Sequence, residues 1–179
     1  MEYIGKRISI QRKEAEASIV ILSTADKTKN GWLTIWFILW TISGMIVFSQ
    51  YFVMKEENEK VMLLVWLFFW AYFEYKIFKV FMWRKFGVEK IKIRNGKLQY
   101  KRDRAGKGKI REYQLNLIKD LRLIELKENS FADNLNQSYW VIAGERLVFD
   151  YEGKEIKLGL QLEEKDAELL LKEIRKKIR

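Results

Sequence analysis

Two long apolar runs, Gly31 to Val53 and Val61 to Trp83, flank the charged segment Met54-Lys55-Glu56-Glu57-Asn58-Glu59-Lys60, and they constrain this chain more than any other feature. Each run matches the roughly 20 apolar residues a helix needs to cross a bilayer core, and so short a linker returns the second helix antiparallel to the first. A transmembrane helical hairpin is therefore expected over residues 31–83, with spans 31–53 and 61–83. The first run begins about thirty residues into the chain, exceeds an apolar signal core and has no small-residue cleavage site, so it reads as a span.

Charge sets the expected orientation. Lys6, Arg7, Arg12, Lys13, Lys27 and Lys29 precede the hairpin, and Arg84, Lys85, Lys90, Lys92 and Arg94 follow it, whereas the linker has only Lys55 and Lys60. The positive-inside rule then puts both termini in the cytoplasm. It also accounts for the formal charge of +10, so no nucleic-acid partner is expected. Cys, His and Pro are absent from the sequence. Without Cys and His there are no disulfides, thiol nucleophiles or imidazole acid/base groups, and most transition-metal sites are excluded, so no cofactor is expected. Without Pro, neither span carries a proline kink.

Within the hairpin, Trp32, Trp36 and Trp40 recur every four residues on one face of the first helix, as Trp66, Trp70 and Glu74 do on the second. Folding about Glu57 brings Glu74 near Trp40 and Thr41, and Trp70 near Gly44. A ring against a glycine, flanked by Thr41 and Ser43, is how membrane helices approach closely. Aromatic packing, with Trp32 and Trp83 as interfacial anchors, accounts for this pattern. Glu74 is the acidic residue inside a span, where a carboxylate is costly unless protonated, paired or near water. It is expected either to bond Thr41 or to snorkel, with Lys76 and Lys79 reaching the cytoplasmic interface. A role in partner docking or proton relay is the alternative.

After Trp83 the pattern changes to short alternating runs with turn residues between them, as in an antiparallel sheet. Val88 to Ile93 alternates at period two into Asn95-Gly96, a hairpin signal, and Lys97 to Tyr100 returns. A basic turn, Asp103 to Gly108, leads to a strand from Lys109 to Tyr113, then another from Ile118 to Leu126. Lys127 to Ser138 reads as a loop. Tyr139 to Ile142, Arg146 to Tyr151 and Glu155 to Leu160 read as strands. Residues 163–179 form an amphipathic helix with Ala167, Leu170, Leu171, Ile174 and Ile178 in one stripe, acids in its first turn and basic residues at its end. Residues 1–30 hold strand-like segments at Arg7 to Gln11 and Ala17 to Leu22. These emerge on the same side as residues 84–179, so they are expected to join that sheet, with the membrane hairpin inserted in one β domain.

The Ile91 to Leu98 hairpin, the Ile118 to Arg122 run, Leu147 to Lys154, and the passage from Lys157-Leu158-Gly159-Leu160 into Glu163 to Ala167 together resemble the bacterial pleckstrin-homology-like (PH-like) family of membrane-associated proteins. The resemblance covers Phe86 to the end well and the first thirty or so residues weakly. It implies an α+β protein with a two-helix transmembrane hairpin, plus an antiparallel β barrel or sheet capped by a C-terminal helix. It also implies a multi-pass protein of the bacterial inner membrane. These motifs specify turns and core positions better than activity. Phosphoinositide recognition does not carry over.

Three functions compete. A non-catalytic interaction or assembly module would bind a protein partner, a second copy of itself or the anionic inner-leaflet surface. Lys101, Arg102, Arg104, Lys107, Lys109 and Arg111 are the candidate headgroup contacts, at about 1 kcal/mol per charge near the surface; a solvated charged hairpin is the favoured account of them. Exposed sheet edges and the loop Lys127 to Gln137, with Phe131 and Leu135, are further candidate contacts. A transporter or channel subunit would use Glu74 and the Trp stripes, and would have to oligomerise, because two helices enclose no pore. An enzyme would use Glu74 or Asp150 as acid or base, but neither has an evident nucleophile or metal partner. The module is the leading expectation.

Overall fold

The computed structural model describes residues 2–13, 16–23, 27–124, 138 and 140–178. The chain divides into two compact units, Asp26–Lys85 and the combination of Met1–Ala25 with Phe86–Arg179.

The first unit is an antiparallel pair, α1 (Lys27–Gln50) and α2 (Glu57–Phe86). With 24 and 30 residues, the helices run about 36 and 45 Å, longer than the ~30 Å hydrocarbon core of a bilayer. Thr28–Gln50 and Glu57–Phe86 are both long and apolar enough to cross a membrane, and only 11% and 6% of their most apolar windows are buried within the chain. A helix in the core of a soluble domain would hide residues such as Leu39 and Phe68, which here are 61% and 75% exposed. The boundaries differ from those expected. Tyr51, Phe52 and Val53 leave the helix because their N–H groups reach back to the carbonyls of Phe48, Ser49 and Gln50 in a tightened last turn. At the other end, α2 starts ahead of the apolar run, where Glu57 and Glu59 favour the positive helix N-terminus.

The second unit is built from nine strands, one α-helix and a 3-10 turn at Leu115–Leu117 among the described residues. Strands β1 (Glu2–Ile4), β2 (Ile8–Lys13), β3 (Glu16–Leu22), β4 (Gly87–Arg94), β5 (Lys97–Arg104) and β6 (Ile110–Gln114) form one antiparallel sheet in chain order. A second sheet contains β7 (Ile118–Leu123), β8 (Glu145–Tyr151) and β9 (Lys154–Leu160). Among the described residues neither sheet closes on itself, so the architecture is α+β with two open antiparallel sheets in place of a closed barrel. β3 and β4 pair from Glu16↔Arg94 to Leu22↔Val88, so strands that precede and follow the helical hairpin in sequence are sheet neighbours.

Turn chemistry fixes this register. Asn95-Gly96, Ala105-Gly106 and Glu152-Gly153 all have positive φ at both positions, the geometry that matches the twist of two-residue hairpins. β5 extends beyond the expected strand to Arg104, because Asp103 pairs with Val88 and only Ala105 and Gly106 remain as the turn. Period-two side chains from both sheets meet in one core that includes Ile10, Ile19, Ile91, Leu98, Leu147, Phe149 and Leu158. Each such side chain contributes about 1.5–3 kcal/mol by leaving water. The helix α3 (Glu164–Ile178) adds Ala167, Leu170, Leu171 and Ile174 to that core, and Arg175 donates to the Leu121 carbonyl at 2.7 Å.

Two expectations are corrected. Residues 140–142 form turns and bends, not a strand, and β7 ends at Leu123. The expected loop Lys127 to Gln137, with Phe131 and Leu135, lies outside the described residues, as does Tyr139.

Candidate functional site

In the helical unit, the Thr41 hydroxyl lies 2.8 Å from a Glu74 carboxyl oxygen and 2.9 Å from the Phe37 carbonyl. Trp70 lies directly over Gly44, and a Cβ there would overlap its indole ring. Phe37 stacks on Phe81 with centroids 5.0 Å apart, and Trp36 on Trp40 at 5.5 Å. The structure thus joins Thr41 to Glu74 and Trp70 to Gly44. Trp66 is 43% exposed. The Nε1 atoms of Trp40 and Trp70 and the second oxygen of Glu74 are buried without a hydrogen-bond partner among the described residues.

In the β unit the expected basic cluster divides. Arg102 turns inward: its guanidinium donates to Glu89 at 3.1 Å, to the Tyr100 hydroxyl at 2.8 Å and to Glu145 at 2.6 Å. Lys101 bonds the Gly106 carbonyl at 3.3 Å and faces Asp103 at 3.3 Å. Those two of the expected headgroup contacts are therefore bonded within the β unit. Arg104, Lys107, Lys109 and Arg111 have no ion-pair partner among the described residues.

Glu89, which the sequence reading passed over as one polar residue of an alternating strand, is the centre of the unit. It is 1% exposed and accepts from four donors: the Tyr100 hydroxyl at 2.7 Å, Arg102 at 3.1 Å, and the backbone N–H groups of Gly159 and Leu160 at 2.9 and 3.0 Å. The two N–H groups converge because Gly159 holds φ +75°, forming a small anion-binding nest. A Cβ at Gly159 would also crowd Leu147 and Leu162. Arg7 completes the clamp by donating to the carbonyls of Leu22, Leu160 and Gln161. Burial lowers the Arg7 pKa, opposed by the negative charge of Glu89 and of two acids at the start of α3. Burial, then the Glu89 charge, raises the Tyr100 phenol, which keeps it the donor to Glu89. These bonds tie β4 and β5 of one sheet to β8 and β9 of the other, and Arg7, just ahead of β2, links β3 to the end of β9.

The parity of β4 carried the missed signal: Glu89 shares its face with Ile91 and Ile93, so its side chain had to enter the core. On the opposite face Lys90 bonds Asp103 at 2.7 Å and holds that carboxyl below its ordinary range.

Beside Arg102, a cleft of about 350 Å³ opens between β5–β6 and β8–β9, lined also by Lys109, Arg111, Glu145, Glu155 and Lys157. Its carboxylates are matched: Glu145 by Arg102, and Glu155 by Arg122 at 2.9 Å. The unmatched charges on its walls are cationic. Asp150 lies on β8, 3.6 Å from Arg122 in a surface ion pair. No family model, curated protein or solved structure matches the chain.

Proposed function

We propose that this chain is a membrane-anchored, non-catalytic interaction module of the bacterial inner membrane, in which the helical hairpin spans the bilayer and the β unit, PH-like in kind, works in the cytoplasm. One observation carries the reading: the helical segment is inserted between β3 and β4, which pair along seven residues. An insertion between hydrogen-bonded neighbours confines the strands far more than a flexible terminal tether would. The excess of Lys and Arg on either side of the hairpin supports cytoplasmic termini. In this reading Arg104, Lys107, Lys109 and Arg111, without ion-pair partners among the described residues, are the cations available to anionic headgroups or to an acidic partner.

The module reading predicts that the protein stays with membranes after alkaline carbonate washing, and that tags at both ends remain protected from protease in intact spheroplasts. Release by carbonate, or digestion of either tag, sinks it. A subunit of an oligomeric transporter or channel is the second reading, favoured by the buried unpaired oxygen of Glu74. It requires an oligomer in detergent and ion flux in proteoliposomes that Glu74→Gln removes. A monomer without flux ends that alternative.

A further inference from the structure

β6 is an edge of the larger sheet, and its backbone shows which groups are unused. Leu115 N–H donates to the Gly96 carbonyl, towards β5, whereas Gln114 N–H points the other way, 3.5 Å from the Tyr151 hydroxyl. Alternation along an antiparallel strand then places the N–H and C=O of Ile110 and Glu112 on the outer edge. No hydrogen bond to those groups occurs among the described residues. An edge of this kind accepts another strand unless it is blunted by proline, a bulge or a cover.

Side chains give that edge a preference. Tyr113 enters the core, and by the same period Arg111 and Lys109 line the cationic cleft on that face. Ile110, 56% exposed, and Glu112 take the opposite face. Glu112 is held by Gln99 at 2.7 Å and Lys97 at 3.4 Å, while Lys109 and Arg111 have no acidic partner among the described residues. A strand laid along β6 would place every second side chain beside the two free cations and the intervening ones beside Ile110.

We propose that the β6 edge is a peptide-docking site that takes an extended acidic segment of a partner protein, alternating acidic and apolar residues, by strand addition. The inference rests on the interaction-module reading and names its surface and partner chemistry. Backbone bonds supply sequence-independent affinity, and Lys109 and Arg111 select for acids.

The test uses the full chain in zwitterionic lipid nanodiscs with a short fluorescent peptide of alternating Glu and Val. Saturable binding is expected, and the Lys/Val counterpart should not bind. N-methylation of the alternate peptide nitrogens that face β6 should abolish binding, while methylation of the other set should change it by no more than about twofold. The double variant Lys109→Glu with Arg111→Glu should weaken binding by about tenfold or more, consistent with cross-strand charge pairs. Binding equally tolerant of both methylation patterns overturns strand addition. So does absence of peptide binding together with capture of phosphatidylglycerol vesicles through the same two cations, which would assign the edge to the membrane. Neither result bears on carbonate resistance or topology, so failure here is distinguishable from failure of the module reading.

Discussion

The helical hairpin and the β unit place polar and apolar groups in opposite ways. In α1 and α2, large apolar side chains face outward and the contact between helices is made by a glycine, stacked rings and the Thr41–Glu74 hydrogen bond. In the β unit apolar residues are enclosed and most charge stays outside; Glu89 is buried among four donors, and Asp103 is buried against Lys90. The contrast is the one expected if the hairpin lies in lipid and the β unit in water. Water drives apolar side chains together, whereas lipid gives them no reason to associate, so membrane helices depend on close approach and a few polar bonds.

The comparison can be broken from either side, and the largest effect should come from Glu89→Ala. It strands two backbone N–H groups and part of Arg102, and should cost the β unit about 3–5 kcal/mol while leaving hairpin helicity intact. Denaturant titration in detergent, read by tryptic cleavage in the β unit and by circular dichroism for the helices, would show whether the two losses separate; loss of both together would contradict independent stabilisation.

Gly44→Val tests the other side. The added side chain must displace Trp70, and overpacking of this kind costs about 1–3 kcal/mol. Cysteine cross-linking between α1 and α2 should weaken, with the melting of the β unit unchanged.

Acid should distinguish the units more gently. The carboxyl of Asp103 is held low by Lys90, that of Glu173 by Arg12 and that of Glu112 by Gln99. Groups whose folded pKa is depressed stabilise the fold above their unfolded values of about 3.9–4.3, and that contribution is lost as pH falls through the lower folded values. Asp166 has the opposite sign: burial, then Glu163, raises its pKa, so its protonation on acidification offsets part of the loss. Thermal melts of the β unit should therefore fall below about pH 4, less steeply in Asp103→Asn. A decline that Asp103→Asn leaves unaltered would remove Asp103 from the account.

The smallest effect expected is a gain. Ala105 holds φ +50° in a turn whose counterpart positions are Asn95 and Glu152, and Ala105→Asn should stabilise the β unit by about 0.5–1 kcal/mol. No change in its midpoint would show that the turn already relaxes without strain.

How far the sequence was legible depended on how local each constraint was. Apolar length identified both long helices, and antiparallel reversal about Glu57 was enough to bring Glu74 to Thr41 and Trp70 to Gly44. The Asn95-Gly96 hairpin and the stripe of the last helix were likewise readable, because turn dihedrals and helical period are properties of neighbouring residues. The basic cluster was only partly legible, since six cations within a short stretch look equivalent until tertiary contacts turn Arg102 towards Glu89 and Glu145.

By itself, then, the sequence determined the two membrane-length helices, the strand-rich remainder and the charge asymmetry across them, all carried by composition and short-range period. Only the tertiary structure decided that β3 and β4 are neighbours across the inserted hairpin, that two open sheets replace a barrel, and that Glu89 locks them together. The physical reason is range. Partners such as Glu89 and Leu160 are distant in sequence, and a carboxylate becomes a staple only where a fold closes donors around it in the absence of water.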